Sequence, residues 1–424
     1  MAIVCQIQTL SLSRRGRLLL RASIVLVALA ALLTPAAHAR SAAAGEPLTA
    51  RLARALAVPN VNHSRSAALV VDLTTGRVLF ARNTRLSLAP ASTEKLALSY
   101  ALLKTVGPAY RIRTQVLAKG FREGSTWYGD LVLRGYGDPT LSSAGLRRLA
   151  LRIRALGIRR VTGWVYGDES FFDTRRTAPG WKPYFYIRES EPLSALAVDH
   201  GRIGGNVSAH PALAAALGFR AILASAGVAV AGPAGLGRAA AEDVQLASTS
   251  SPPLLHMLRL VNRESDNFTA ELLLKHLGGI DSGRGTTGAG ATVVRRVLEA
   301  SGVPLHGVRI VDGSGLSLLD RQTAESLVGI LSAAWADPLL RGSFLASLAV
   351  AGRNGTLRGR LRGGPAAGQV FAKTGTTSLA SALSGYVGGR YVFAVVQNGP
   401  PLSAWWCRQA QDRFVTVLAG GRPR

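Results

Sequence analysis

The sequence predicts an α/β (α+β) protein in which an antiparallel sheet packs on helices and one α/β domain is inserted. A hairpin pattern occupies residues 66–83, and three strand-like segments follow one another at 369–399, near the other end of the chain. Helical periodicity fills much of the sequence between them. A sheet that draws its strands from both chain ends, with helices between, forms one antiparallel layer covered by helices.

Length and composition fit a globular protein of two domains. The 424 residues are 48% hydrophobic and 17% charged, which allows a sizeable core and excludes a disordered chain. The formal net charge of +26 predicts attraction to polyanions such as anionic cell-wall polymers. The alternative, which the scattered arginines favour, is an arginine-rich composition that serves no polyanionic partner. The arginines are scattered and no nucleic-acid motif accompanies them, so no specific nucleic-acid partner is expected.

Residues 1–39 are predicted to be a cleaved signal peptide. A basic segment, an apolar run at 22–33 and an Ala37-His38-Ala39 cleavage pattern follow in that order. The basic residues are Arg14, Arg15, Arg17 and Arg21. The apolar run is too short for the alternative, a membrane-spanning helix, which needs about 20 residues. The protein is therefore expected to be exported and to be periplasmic, extracellular or associated with the cell wall.

The predicted main domain comprises residues 40–105 and 246–424. In its first part, apolar residues alternate on both sides of a Thr74-Thr75-Gly76 turn, which predicts the hairpin. The segment "STEKLALSYALLKTV" then has the periodicity of a helix. In its last part, "QVFAKTGTT", "SALSGYVGGR" and "YVFAVVQNG" predict three consecutive strands, and "WWCRQAQDRFVTVLAG" predicts a closing amphipathic helix.

Residues 106–245 are predicted to form the inserted domain. Within them, "STWYGDLVLRGYGDPTL" and "RVTGWVYGDESFFD" predict strands and turns. The segments "LRRLALRIRALGI" and "HPALAAALGFRAILASAGV" predict helices. The chain is expected to return to the main domain near "RAAAEDV".

Ser92 and Lys95 form a Ser-x-x-Lys pattern at the predicted helix start. One helical turn places both side chains on the same face, and the first N–H groups of a helix are free to bind an oxyanion. Only six of the 50 basic residues are lysine. Lysine can lose its proton when desolvated, whereas arginine cannot, so this pair indicates an activated nucleophile. The alternative is an N-cap serine beside a solvated lysine.

Two further motifs argue against that alternative. Ser265-Asp266-Asn267 precedes a helical run, and Lys373-Thr374-Gly375 lies on a predicted strand near the C-terminus. S-x-x-K, S-D-N and K-T-G in this chain order are the motif set of penicillin-interacting serine enzymes.

With these motifs the chain resembles the D-alanyl-D-alanine carboxypeptidase/endopeptidase family of class C low-molecular-mass penicillin-binding proteins, peptidase family S13. The stretches "LRGYGDPTLS", "GDESFFD", "APGW", "VDGSGLS" and "GRNGTLRGRLRGGPAAGQVFAKTGT" add to the resemblance. The resemblance implies a class A β-lactamase/transpeptidase-like fold. It also implies a serine D,D-peptidase, carboxypeptidase or endopeptidase, that acts on peptidoglycan stem peptides through an acyl-enzyme and is acylated by β-lactam antibiotics.

The resemblance also implies catalytic roles. Ser92 would attack the carbonyl between two D-alanines, and Lys95 would take its proton. Ser265 and Lys373 would pass a proton to the leaving amine. The backbone N–H groups of Ser92 and Thr376 would form the oxyanion hole.

Substrate-binding roles are implied for the same motifs. Asn267 would hold the amide of the substrate side chain. The strand of Thr374, Gly375 and Thr376, together with Lys373, would bind the terminal carboxylate.

Local motifs of rival catalytic machinery are absent from the sequence; a Ser-His-Asp triad assembled from distant residues stays an alternative to which no motif points. There is no G-x-S-x-G elbow and no H-E-x-x-H pattern, so no metal and no cofactor are expected. Asp138 in "GYGDPT" and Asp312 in "VDGSG" are interpreted as turn residues. Two alternatives remain open: a β-lactamase or esterase that uses the same serine, and a catalytically inactive, cationic cell-wall-binding protein of the same fold.

We expect the mature protein to begin at about Arg40, because the small residues Ala37 and Ala39 suit signal peptidase. N-terminal sequencing of secreted material checks this expectation. Recovery of Met1 would contradict it.

Overall fold

The computed structural model of the protein describes residues 46–421, so the predicted signal peptide at 1–39 lies outside the described residues. Of the described residues, those from 51 to 421 form one compact unit. The helices of the described part are α1 (Leu48–Ala55), α2 (Lys95–Val106), α3 (Ser143–Ala155), α4 (Pro211–Ser225), α5 (Leu254–Arg259), α6 (Asn267–Ser282), α7 (Thr287–Ala300), α8 (Ala324–Ala336), α9 (Pro338–Ser347) and α10 (Ala404–Gly420). None of them is long and apolar enough to cross a membrane.

The strands of the same part form two large sheets and one small hairpin. They are β1 (Ser66–Asp72), β2 (Val78–Arg82), β3 (Arg113–Glu123), β4 (Thr126–Gly135), β5 (Arg160–Val161), β6 (Val165–Asp168), β7 (Arg202–Ile203), β8 (Asn206–Val207), β9 (Ala229–Val230), β10 (Ala234–Leu236), β11 (Val244–Ser250), β12 (Ala349–Val350), β13 (Val370–Thr376), β14 (Ala380–Val387) and β15 (Tyr391–Asn398).

The main sheet is built from both ends of the chain, as predicted. Its six strands run in the order β12-β13-β14-β15-β1-β2, and every neighbouring pair is antiparallel. The two chain ends meet where β1 pairs with β15, with Ser66 opposite Gln397 and Asp72 opposite Tyr391. This architecture confirms the predicted α/β (α+β) class with an antiparallel sheet on helices.

Helices cover both faces of this sheet. All residues of β14 and β15 are buried, and successive side chains of a strand point to opposite faces. Val392, Ala394 and Val396 of β15 belong to the large apolar core that includes residues of α2, α6 and α8. On the other face, Phe414 of α10 packs on Phe80 of β2, with ring centroids 5.6 Å apart.

The second large sheet lies entirely within residues 113–250. Its strands run in the order β10-β6-β4-β3-β11, with β5 beside β4 and β9 beside β5. The sheet is mixed, because β4 is antiparallel to β3 and parallel to β6. Helices α3 and α4 share an apolar core with it that includes Val165 and Phe219. These features fit an inserted α/β domain. Its limits at 106 and 245 stay predictions, and β11 crosses the second limit.

Helix α6 is held against loops of residues 136–173 by buried polar contacts. Lys275 is wholly buried, and its Nζ donates to Asp173 Oδ1 at 2.5 Å. The next residue, His276, places its Nδ1 2.7 Å from the Tyr136 carbonyl oxygen. Because α6 begins at Asn267, these contacts fix the direction of the helix that carries a predicted site residue.

Helices α6 and α7 approach each other closely at a glycine. A methyl group placed on Gly290 of α7 would lie 2.0 Å from the carbonyl oxygen of Leu274 in α6. The same addition at Gly288, in the first turn of α7, would meet nothing within 4 Å. Packing therefore requires glycine at 290 and not at 288.

We expect Gly290→Ala to lower the free energy of unfolding by ~1–3 kcal/mol, because overpacking forces the two helices apart. The matched control, Gly288→Ala, should change it by no more than ~1 kcal/mol, since alanine fits there and favours a helix. Urea unfolding followed by circular dichroism measures both. Equal midpoints for the two variants would contradict the expectation.

Candidate active site

Ser92 and Lys95 lie at the start of α2. A 3₁₀ turn, Ala91–Glu94, leads directly into the helix, whose first residue is Lys95. Ser92 is half-buried, whereas Lys95 is wholly buried. Ala91 has a φ of +48°, a left-handed conformation that costs free energy for any residue with a side chain. The backbone beside Ser92 is therefore held in a strained shape by its surroundings.

The amine of Lys95 has three polar neighbours. Its Nζ lies 3.0 Å from Ser92 Oγ, 2.7 Å from Asn267 Oδ1 and 2.6 Å from the Ser314 carbonyl oxygen. The amide and carbonyl oxygens can only accept hydrogen bonds. A neutral amine that donates to both of them has its lone pair left for the Ser92 hydroxyl. The geometry therefore suits removal of the Ser92 proton by Lys95.

Burial lowers the pKa of both site lysines. It lowers the pKa of Lys95 to about 8, and the negative charge of Asp312 offsets only part of this effect. The pKa of Lys373 is held well below its usual range by burial and, second, by the positive charge of Lys95. An amine with a lowered pKa can accept a proton near neutral pH.

Ser265 and Lys373 form a second serine–lysine contact. Lys373 Nζ donates to Ser265 Oγ at 2.8 Å and to the Thr374 carbonyl oxygen at 2.8 Å. Ser265 has a φ of +63° and ends a π-helical turn at 260–264. The next residue, Asp266, caps α6 by accepting a hydrogen bond from the Thr269 N–H at 2.6 Å. The Ser-Asp-Asn motif is thus the start of α6.

The Lys-Thr-Gly motif lies on β13, directly beside the nucleophile turn. A Cβ on Gly375 would lie 2.9 Å from the Pro90 carbonyl oxygen and 3.1 Å from the Ser92 nitrogen. Only glycine allows this approach without displacing the backbone. Thr376, the next residue, is exposed. Thr374 Oγ1 donates to Thr356 Oγ1 at 2.8 Å.

The structure therefore brings the three predicted motifs to one site. Their roles stay predictions, but every predicted side chain lies at the junction of α2, α6 and β13. The residues are Ser92, Lys95, Ser265, Asn267, Lys373, Thr374, Gly375 and Thr376.

Four buried carboxyl groups lie close to Lys95, and the sequence did not reveal them as part of the site. They are Glu94, Glu271, Asp312 and Asp320, each at most 1% exposed. Burial raises the pKa of Glu94 and of Glu271 to about 8. One signal was available: Glu271 follows Asn267 by four residues in a helix, so the two side chains share a face.

The segment 181–189 borders the same site. The indole Nε1 of Trp181 donates to Asp312 Oδ2 at 2.8 Å. The amide Nδ2 of Asn267 donates to the Glu189 carbonyl oxygen at 2.8 Å. This segment therefore contacts both the turn at Asp312 and the start of α6, and it forms one wall of the site.

Fold and site together define a class of protein. An antiparallel sheet covered by helices holds Ser-x-x-Lys, Ser-Asp-Asn and Lys-Thr-Gly around two buried lysines, which is the arrangement of penicillin-interacting serine enzymes. More narrowly, the chain belongs to the D-Ala-D-Ala carboxypeptidase 3 (S13) family, whose model matches residues 48–211 and 205–420. The family resemblance found in the sequence is thereby confirmed.

Relatives of this family match most of the chain. It is 32% identical over 428 residues to a D-alanyl-D-alanine carboxypeptidase of Actinomadura sp. (strain R39). The aligned region covers 80% of this chain and 79% of the relative. It is 33% identical over 403 residues to carboxypeptidase DacB of Mycolicibacterium smegmatis, with 88% and 83% covered.

A solved structure supports the fold. Penicillin binding protein 4 (dacB) from Haemophilus influenzae is similar at a TM-score of 0.76 and 20% identity, covering 88% of this chain and 98% of that one. Its complex with a β-lactam gives a TM-score of 0.71 at 19% identity, with the same coverage. The class A β-lactamase/transpeptidase-like fold implied by the motifs is consistent with this likeness.

Proposed function

We propose that the protein is a serine D,D-peptidase that cleaves D-alanyl-D-alanine in peptidoglycan stem peptides through an acyl-enzyme. The family and the carboxypeptidase names of its relatives support this reaction class. The observation that carries the proposal is the position of Lys95 Nζ, which lies 3.0 Å from Ser92 Oγ while two acceptors hold it. Such an amine is placed to activate a serine.

Acylation begins when Ser92 Oγ attacks the carbonyl carbon between the two D-alanines and Lys95 takes its proton. The carbonyl oxygen becomes negative in the tetrahedral intermediate, and the N–H groups of Ser92 and Thr376 stabilise it. The same steps acylate Ser92 with a β-lactam, whose amide carbonyl takes the place of the peptide carbonyl. The H. influenzae protein, which forms a complex with a β-lactam, supports a β-lactam as a ligand of this fold.

The leaving amine receives its proton from the second serine–lysine contact. Ser265 donates to the amine nitrogen and Lys373 resupplies Ser265, because their atoms lie 2.8 Å apart. A substrate carboxylate bound at Lys373, Thr374 and Thr376 would raise the pKa of Lys373 and keep it protonated. Water then hydrolyses the ester. Carboxypeptidase and endopeptidase reactions share these steps and differ in the amine that leaves.

The proposal includes export to the cell wall. Peptidoglycan lies outside the cytoplasmic membrane, so an enzyme that acts on it must be exported. The signal peptide predicted at residues 1–39 would direct this export. Cleavage after residue 39 removes four arginines and no acidic residue, so the net charge falls from +26 to +22, and this positive charge favours contact with anionic wall polymers.

We expect Ser92→Ala to abolish covalent labelling by a fluorescent penicillin, because no other hydroxyl is proposed as the acyl acceptor. Mass spectrometry of the labelled parent should place the adduct on Ser92. Ser225→Ala, at the exposed end of α4, is the control and should label like the parent. An adduct on another serine would refute the assignment, and rapid release of hydrolysed penicillin would identify a β-lactamase instead.

We expect Lys95→Arg to acylate about as slowly as Lys95→Ala, ~10²–10⁴-fold below the parent, because arginine keeps the charge but cannot act as a base. In the parent, acylation should increase with pH with a midpoint at about 8, since the neutral form of Lys95 increases as the pH passes its pKa. Stopped-flow labelling measures both. Lys119→Arg, on an exposed lysine, is the control. Near-parental acylation by Lys95→Arg would show that only the charge matters.

A further inference from the structure

The carboxyl group of Asp312 accepts hydrogen bonds on both of its oxygens. Five donors reach its two oxygens at 2.7–3.1 Å. They are Trp181 Nε1, the hydroxyl of Ser314 and the backbone N–H groups of Ser314, Gly315 and Ser317. Protonation of this carboxyl group would replace one acceptor site by an O–H donor, which would face another donor. The contacts therefore favour a negatively charged Asp312.

Asp320 has the opposite environment. Its Oδ1 accepts from the backbone N–H of Val311 at 2.7 Å, but no donor within the described residues reaches its buried Oδ2. The backbone N–H of Asp312 also donates to Asp320 Oδ1 at 3.3 Å, which brings the two carboxyl groups close together, and no lysine or arginine of residues 46–421 forms an ion pair with either. Two adjacent carboxylates without a cation between them cannot both be ionised in a buried site.

The turn that Asp312 organises reaches Lys95 directly. Asp312 accepts from the backbone N–H and the hydroxyl of Ser314, and Glu271 Oε1 accepts from the N–H groups of Gly313 and Ser314 at 2.9 and 2.8 Å. The peptide groups around Ser314 are therefore held from two sides. The Ser314 carbonyl is thereby pointed at Lys95 Nζ, 2.6 Å away.

The same turn packs on the nucleophile backbone. Gly315 has a φ of +81°, and a Cβ there would lie 2.0 Å from the Ala91 carbonyl oxygen. A displacement of the turn therefore moves both the acceptor of Lys95 and the support of Ser92.

We infer that Asp312 and Asp320 share a single proton, that Asp320 carries it, and that this carboxyl–carboxylate pair positions Lys95 through the Ser314 carbonyl. Both are positioning residues, since neither contacts Ser92. The inference rests on the proposed function, in which Lys95 is the base. Burial and the charge of Asp312 raise the pKa of Asp320 well above its usual range, in agreement with a proton on Asp320.

The location of the charge has a consequence for Lys95. The ionisable groups that act on its amine are Asp312, Asp266, Glu271, Asp320, Glu94 and Lys373. A charged Asp312 raises the pKa of Lys95, whereas a neutral Asp320 does not. Removing the charge of Asp312 should therefore lower the pH at which Lys95 becomes a base.

The test compares two isosteric variants. In Asp320→Asn, the amide N–H can donate to Asp312 as the carboxyl proton does, and the amide oxygen still accepts from the Val311 N–H. We expect the pH at which its acylation rate rises to match that of the parent, because the substitution removes no charge near Lys95. In Asp312→Asn, we expect the acylation rate on its high-pH plateau to be ~100-fold lower, because the base is misplaced. We also expect the acid limb, the part of the profile in which the rate rises with pH, to shift to lower pH.

Three results would overturn the inference. One is an acid limb that moves in Asp320→Asn and stays in place in Asp312→Asn, because the charge would then lie on Asp320. Another is equal slowing of both variants at an unmoved limb, which would mean a merely structural role. The third comes from infrared spectroscopy, where the band of one protonated carboxyl group should disappear in Asp320→Asn at neutral pH. Its persistence would place the proton elsewhere.

The infrared result separates this inference from the proposed function. It reports the proton on Asp320 without any enzymatic activity, and it does not require Asp312→Asn to fold. If Lys95→Arg acylates normally while the carboxyl band is lost as expected, the role of Lys95 as base fails and the shared proton stands.

Discussion

The burial of the Lys95 amine at the first turn of α2 constrains the rest of the site. Removing a lysine from water disfavours its charged form, and several kcal/mol of desolvation must be offset by neighbours. At Lys95 the offset comes from two oxygen acceptors and from a nearby carboxylate. The acceptors belong to α6 and to the turn after residue 312. Both elements must therefore hold their positions for Lys95 to be both buried and reactive.

The sheet supplies the remaining constraint. Lys373 lies on β13, whose register places Gly375 against the Pro90–Ser92 backbone. That register follows from the ladder of β13, β14 and β15, which continues into β1. The two lysines thus meet because strands from opposite chain ends share one sheet. Burial and, second, the charge of the nearby Lys95 hold the pKa of Lys373 low.

Local patterns predicted most elements correctly because those elements bury one periodic face. The hairpin around Gly76, the helix from Lys95 and the C-terminal strands all formed as expected. The motif residues could be found because their spacing carries the chemistry. Asp138 occupies a turn, as predicted, and accepts from Thr140. Asp312 also occupies a turn, but its burial depends on α6 and Trp181, which are distant in sequence. No local sequence pattern indicates such contacts. For the same reason, the proton on Asp320 could be inferred only from the structure.

The pairing of β1 with β15 has a consequence for when the site can exist. During synthesis Ser92 and Lys95 emerge early, but the strand that completes their surroundings follows some 280 residues later. Contacts this distant in sequence form late, because the closure of a long loop must precede them. A partly made chain therefore carries the nucleophile without Lys373 or β13. The topology delays the assembly of the reactive centre until β13, β14 and β15 have been made.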